Sequence, residues 1–179
     1  SFNENTVTAD AGVSTAVLIH ETIKNNYSGL EKWVGLPGTI GGAVFGNAGC
    51  NGLETKDILK EATLLDTKTA EIRTVKNKYF EFSYRHSSIK ETGEILLNAT
   101  FELTQDALNA EQQRAIMAEI QQFRLTKQPL GPSSGSFFKN PSPDKPAGML
   151  IDQAGLKGTK VGDAQISEKH GNFILNLGK

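Results

Sequence analysis

The sequence predicts an α+β fold. Strand-like and helix-like segments are mixed without regular βαβ alternation, no internal repeat or low-complexity tract appears, and the composition is that of an ordinary globular protein, with 37% hydrophobic and 22% charged residues. A chain of 179 residues is long enough for one large domain or two small ones, each with its own core.

The elements follow in order. Ala16, Ile19, Ile23 and Tyr27 recur at helical spacing, so Thr15 to Asn26 reads as an amphipathic helix. A Gly-rich segment over 35–52 follows, read as a system of tight loops. "EATLLDT" and "EIRTV" are β-rich runs on either side of "KTA" and predict a hairpin. Ile95, Leu97, Ala99, Phe101 and Leu103 alternate with Leu96, Asn98, Thr100 and Glu102, which predicts a strand with the first set buried. Asn109 with Gln112 three residues on predicts a capped helix whose Ile116, Ile120 and Phe123 share a face. "KQPLGPSSG" breaks the pattern and marks a domain junction. Beyond an irregular loop containing "GSFFKNP", Ala147 to Ala154 predicts a short helix stopped by Gly155. "GNFILN" reads as a final strand.

Charge excludes little but says something. With 19 basic and 20 acidic residues the net charge is −1, which gives no general attraction to nucleic acid or to an anionic membrane. Trp33 to Leu53 is uncharged, yet its glycines, Pro37, Asn47 and Asn51 interrupt any apolar run, so no membrane insertion is expected. Cys50 is alone and makes no internal disulfide, in keeping with a reducing compartment. Ser1 is not a start methionine, no signal peptide opens the chain, and the sequence stops just past a strand, so a piece of a longer protein is expected.

Each motif carries a bland reading beside the functional one. "GPSSG" at 131–135 matches the G-x-S-x-G pattern of hydrolases, but "KQPL" before it and a Pro-rich loop after it do not supply the strand and helix that pattern needs. "GLPGTIGGAVFGNAG" at 35–49 lacks the Lys-Ser/Thr of a P-loop and the spacing of G-x-G-x-x-G. Its glycines at 35, 38, 41 and 42 allow sharp turns and let backbone N–H groups approach a flat or anionic ligand; taken alone, a structural loop is the better reading. His20, His86 and His170 are far apart and without ligand spacing, so no metal is expected. "FSYRHSSIK" at 82–90 is an exposed polar loop on its own terms. Its Arg85 is nevertheless the permanent charge an enzyme would set against an enolate or carboxylate.

Together, "GLEKWVGLPGTIGGAVFGNAGCNG", "YRHSSIK", "QPLGPSSGSFFKNP" and "AGMLIDQAGLKGTKVGDAQISEKHGNFILN" strongly resemble the UDP-N-acetylenolpyruvoylglucosamine reductase family, in order and over nearly the whole chain. The resemblance implies the second part of a two-part FAD-binding fold of the VAO/PCMH type over 1–127, followed by a smaller α+β substrate-binding domain over 128–179. It implies FAD and NADPH as cofactors and UDP-N-acetylglucosamine enolpyruvate as substrate. In the family, NADPH reduces the flavin, hydride reaches C3 of the enolpyruvyl group, and an enolate-like intermediate is protonated at C2, giving UDP-N-acetylmuramate for peptidoglycan. Carried over by motif, Arg85 stabilises that intermediate and Ser136 donates the proton. Tyr84, Lys127, Lys139 and Asn140 become substrate-binding candidates. Gly35, Leu36, Pro37, Gly38, Gly41, Gly42, Asn47 and Gly49, with Ala11 to Ser14 upstream, become the flavin lining. Ser136 is expected in an irregular loop anchored by Phe137 and Phe138.

Two family elements, a pyrophosphate loop and a catalytic glutamate, would lie before Ser1 and after Lys179. No insertion is visible between Arg85 and Ser136, which favours the family form without an extra tyrosine-bearing loop. A bacterial, cytoplasmic monomer is expected. The alternatives are a non-catalytic flavin- or nucleotide-binding module of the same fold and an oxidase sharing only the flavin fold; "GSFFKNP" speaks against both.

Overall fold

A computed structural model describes residues 1–178. It divides into two compact units, Ser1–Gln121 and Gln122–Lys179. Among the described residues, no helix is long and apolar enough to cross a membrane.

The first unit is built on a five-stranded sheet. Strands β1 (Phe2–Asn3) and β2 (Thr6–Asp10) open it. Helix α1 (Thr15–Lys24) and the short strand β3 (Tyr27–Ser28) follow, then helix α2 (Ile40–Gly46) and a tiny hairpin of β4 (Gly49–Cys50) and β5 (Leu53–Glu54). Next come α3 (Thr55–Ile58), β6 (Leu59–Leu65), β7 (Ile72–Lys76), α4 (Ile89–Thr92), β8 (Ile95–Glu102) and β9 (Thr104–Gln105). The main sheet runs β1-β2-β8-β6-β7, every pairing antiparallel. Trp33, Phe80, Phe101, Leu30, Ile40 and Leu64 fill the core, with Trp33 edge-on to Phe101 at a centroid distance of 6.2 Å.

Helix α1 starts where Ser14 accepts a hydrogen bond from the Val17 N–H at 3.2 Å. Leu18, Ile19 and Ile23 face the core, whereas Ala16, assigned to the buried stripe by spacing, is exposed. The β6–β7 hairpin forms as expected, its turn closed by the Asp66 carboxylate accepting from Lys68 and Thr69.

Strand β8 corrects the strict alternation. Leu96, Ala99, Phe101 and Leu103 are buried, while Ile95 is half exposed. The cause is a bulge: Thr63 pairs with Asn98 but Leu64 pairs with Leu96, so one extra residue of β8 interrupts the ladder. A one-residue slip moves every side chain beyond it to the other face. The carbonyl of Leu97, the bulged residue, accepts instead from the Ala11 N–H at 2.8 Å.

Helix α5 (Ala110–Lys127) begins with the expected reciprocal cap: Asn109 N–H to Gln112 Oε1 and Gln112 N–H to Asn109 Oδ1, both 2.9 Å. The expected apolar face is only partly covered. Gln113 is its one buried residue among those described, and Phe123 is exposed.

The second unit carries β10 (Ser133–Ser136), α6 (Ala147–Gln153), β11 (Lys160–Val161), β12 (Ala164–Ile166) and β13 (Phe173–Asn176), with its sheet ordered β10-β13-β12-β11. Ser136, expected in a loop, is therefore the last residue of an edge strand, paired with Phe173. A bulge lies between Ser133 and Ser136, and Gly135 takes a φ of 77°, which a residue with a Cβ adopts only under strain. Helix α6 stops at Gly155, φ 68°, whose N–H returns to the Asp152 carbonyl.

Candidate functional site

In the first unit the two stretches expected to line a flavin are sewn together by backbone. Ile40 N–H donates to Val13 O at 2.9 Å, Gly41 N–H to Ala11 O at 2.8 Å, and Thr15 N–H to Gly38 O at 3.1 Å. The Thr15 hydroxyl adds a 2.5 Å bond to Leu36 O. Glycine at 41 eases this approach, because a Cβ there would sit a tight 3.2 Å from both the Cβ and the carbonyl oxygen of Ala11 and would push Ala11 back by a few tenths of an ångström.

The segment is not the run of turns that its glycines suggest. Gly35 and Gly38 take positive φ, but Gly41 and Gly42 lie inside α2, capped by the Thr39 hydroxyl accepting from Gly42 N–H. The N–H groups of Leu36, Ile40, Gly41 and Gly42 are thus used within the protein. What faces outward is a ridge with few side-chain atoms: Gly35, Pro37, Gly38 and Gly42 are exposed. A Cβ added at Gly12 or Gly38 would meet nothing within 4 Å. Such a surface fits a flat ring system laid against it.

Arg85 joins this segment. Its backbone is left-handed, φ 56°, in a tight turn where Ser83 and His86 exchange N–H···O bonds. Its guanidinium lies over the Tyr84 ring at 5.1 Å and donates to Gly49 O at 3.0 Å and Asn47 O at 3.5 Å. Lys90 Nζ, which donates to Arg85 O at 2.7 Å, holds the turn from behind. Asn47 is fully buried, and its side chain donates to Ser83 O at 2.9 Å and accepts from Lys56 N–H at 3.0 Å. Its amide therefore braces the Arg85 turn rather than reaching solvent.

In the second unit, Ser136 and Asn140 line one open cavity of about 400 Å³, with Asp152, Lys157, Lys169 and His170 on its walls. Asn140 Oδ1 accepts from Ala147 N–H at 3.0 Å and so opens α6, whose own N-cap Pro146 has no side chain for the task. Lys157 pairs with Asp152 at 2.8 Å, and Lys169 Nζ donates to Leu125 O at 2.5 Å. Burial, with a smaller push from Lys157, holds the His170 imidazole below its ordinary pKa. Its Nδ1 accepts from Asn172 N–H at 3.2 Å, so the neutral ring carries its proton on Nε2. Lys127 and Lys139 are exposed on this unit.

Phe137 and Phe138 do not anchor the Ser136 segment. Both are more than half exposed, stacked edge-to-face on each other at 5.0 Å. Buried Asn172 is the anchor that sequence reasoning missed. Its carbonyl accepts from Phe137 N–H at 2.9 Å, its Oδ1 accepts from Phe138 N–H at 2.8 Å, and its Nδ2 donates to Phe138 O at 2.8 Å. In sequence it is one Asn ahead of a strand, with nothing to mark its partner 34 residues away. Asn172→Ala is expected to lower stability by about 1–3 kcal/mol, since it strips two backbone groups of their partners. Denaturant unfolding of Asn172→Ala beside Phe137→Ala checks this, with the exposed phenylalanine costing far less.

The fold and site define a class: a flavin-type α+β domain followed by a small domain that presents polar groups from a sheet edge. Residues 1–76 match the FAD binding domain model, and residues 126–179 match the model for the UDP-N-acetylenolpyruvoylglucosamine reductase C-terminal domain. The chain belongs to the UDP-N-acetylenolpyruvoylglucosamine reductase family. It is 45% identical over 178 residues to that reductase from Agathobacter rectalis and 42% identical over 173 residues to the one from Petrotoga mobilis. These alignments cover 99% and 96% of this chain but 55% and 56% of the relatives, so the chain spans a little over half their length. The solved structure of the Thermus caldophilus reductase superposes with a TM-score of 0.86 at 36% identity, over 100% of this chain and 64% of that one.

Proposed function

We propose that this chain is the flavin-facing and substrate-facing part of an FAD-dependent reductase that converts UDP-N-acetylglucosamine enolpyruvate to UDP-N-acetylmuramate with NADPH, as a monomer in the bacterial cytoplasm. The observation that carries this reading is the cavity shared by Ser136 and Asn140, two members of one short motif that the fold turns toward the same space.

The ridge of Gly35 to Gly42 with Ala11 to Ser14 would hold the isoalloxazine side of FAD, which supplies hydride transfer when bound. Arg85, whose guanidinium donates to the Asn47 and Gly49 carbonyls just after α2, brings a permanent positive charge. Its part is to stabilise negative charge that develops on the enolpyruvyl group as hydride adds at C3. Ser136 holds a proton on its hydroxyl and gives it to C2. An aliphatic hydroxyl is a weak acid, so the step depends on a strongly basic enolate and a fixed approach. Asn140, Tyr84, Lys127 and Lys139 would contact the nucleotide-sugar diphosphate; Lys127 and Lys139 offer cationic donors for its charges. Among the alternatives, a binding module without chemistry has no use for an exposed hydroxyl held on a bulged strand edge.

Full-length protein carrying this sequence should retain FAD and, beyond the single equivalent that reduces the flavin, oxidise NADPH only when the enolpyruvyl substrate is added, with one product formed per further NADPH consumed. NADPH oxidation unaffected by that substrate would contradict the assignment.

A further inference from the structure

The β4–β5 hairpin sets one carboxylate against Arg85, and we propose that Glu54 is the positioning residue that fixes the direction of the Arg85 guanidinium. The inference rests on the reading of Arg85 as the stabiliser of the intermediate. It adds a residue that no motif in the sequence marks.

Glu54 is held on several sides. Its Oε2 accepts from Lys56 Nζ at 2.9 Å and from Asn47 Nδ2 at 3.2 Å, while Oε1 lies 3.9 Å from Arg85 Nη1. Its backbone N–H donates to Asp57 Oδ2 at 2.8 Å, in a reciprocal cap that starts α3. Only about a quarter of its side chain is exposed. The same Asn47 amide that steadies Glu54 also holds Ser83 O, within the turn that carries Arg85. The carboxylate and the turn are thus set by one buried side chain.

Geometry at Gly49 completes the holder. Its carbonyl accepts from Arg85 Nη2, and a Cβ at this position would fall 2.7 Å from Glu54 Cγ and 2.8 Å from Leu53 O. Glycine is what lets the hairpin bring Glu54 and the Gly49 carbonyl to the same guanidinium. A planar fork with five donors, gripped by a carbonyl on Nη2 and a carboxylate near Nη1, has one orientation rather than many. Lys56 competes for the carboxylate, so Glu54 orients Arg85 without neutralising it entirely.

The test compares Glu54→Gln and Glu54→Ala in the full-length, FAD-loaded protein, each alone and with Arg85→Lys. Glu54→Ala should slow substrate reduction about 10- to 100-fold, the scale of a small misplacement, while flavin reduction by NADPH keeps its rate. Glu54→Gln should lose less, because its one amide oxygen can still accept from Arg85 Nη1 if the amide group turns away from the Asn47 Nδ2 donor that Oε2 now serves. In the Arg85→Lys background, which has already lost the fork, neither change should add its full effect. Equal slowing of both half-reactions, or full additivity with Arg85→Lys, would overturn the proposal. Side-chain NMR of arginine-labelled protein gives a readout independent of turnover. Arg85 guanidinium rotation should be hindered in the wild type and freed in Glu54→Ala, and an unchanged Arg85 signal would overturn it as well. A wild type that leaves the enolpyruvyl substrate untouched would count against the proposed function, while the NMR comparison still decides the role of Glu54.

Discussion

Ser136→Ala in the full-length protein, on the proposed function, is expected to leave flavin reduction by NADPH unchanged and to slow reoxidation by substrate by about 10²- to 10⁴-fold or more, the range of a lost general acid. The split follows from the proposed chemistry, in which only the second half-reaction delivers a proton to C2. It also follows from place. Ser136 ends β10 with its backbone paired to Phe173, and Asn172 pins the next two residues, so removing one exposed oxygen should not disturb the strand. Ser136→Cys should keep more activity than alanine, since a thiol can still donate. Stopped-flow traces of the two half-reactions measure this directly. If both slow equally, or neither does, Ser136 is not the acid.

Arg85→Ala carries the second large effect. Turnover should fall far more than substrate affinity, because in its proposed role the guanidinium matters most when negative charge accumulates on the intermediate. Lysine should rescue only in part. It cannot grip the Gly49 carbonyl and lie near Glu54 at once, as the Arg85 fork does through Nη2 and Nη1. Steady-state kinetics of the two variants checks both points, and a normal kcat in Arg85→Ala would return the residue to a structural role.

How much of this was legible in the sequence depends on the range of the interactions. Local signals read well. The Asn109–Gln112 cap, the β6–β7 hairpin and the Gly155 stop each lie within a few residues and form as expected. The burial of β8 did not read well, because a bulge set by pairing with β6 flips Ile95 outward and Leu96 inward, and no periodicity within one strand contains that information. The Gly-rich segment misled in the opposite way. Gly41 and Gly42 lie within a helix, Gly41 closely approached by Ala11, whereas composition alone suggests only turns.

The candidate site divides along the same line. Arg85, Ser136 and Asn140 stood out because of the short motifs around them. Glu54 and Asn172 did not, because each acts on a residue more than 30 positions away that only the fold brings near. Phe137 and Phe138 drew attention as large apolar residues, yet the backbone beside them is held by an amide.

The source of the proton at C2 is the most direct test of the proposed role of Ser136. Full-length enzyme turned over in D₂O with NADPH should place deuterium at C2 of the lactyl group, as a solvent-exchanged Ser136 hydroxyl demands, and Ser136→Ala should form that product only at its slowed rate. Protium at C2, or C2-deuterated product made by Ser136→Ala at the wild-type rate, would contradict it.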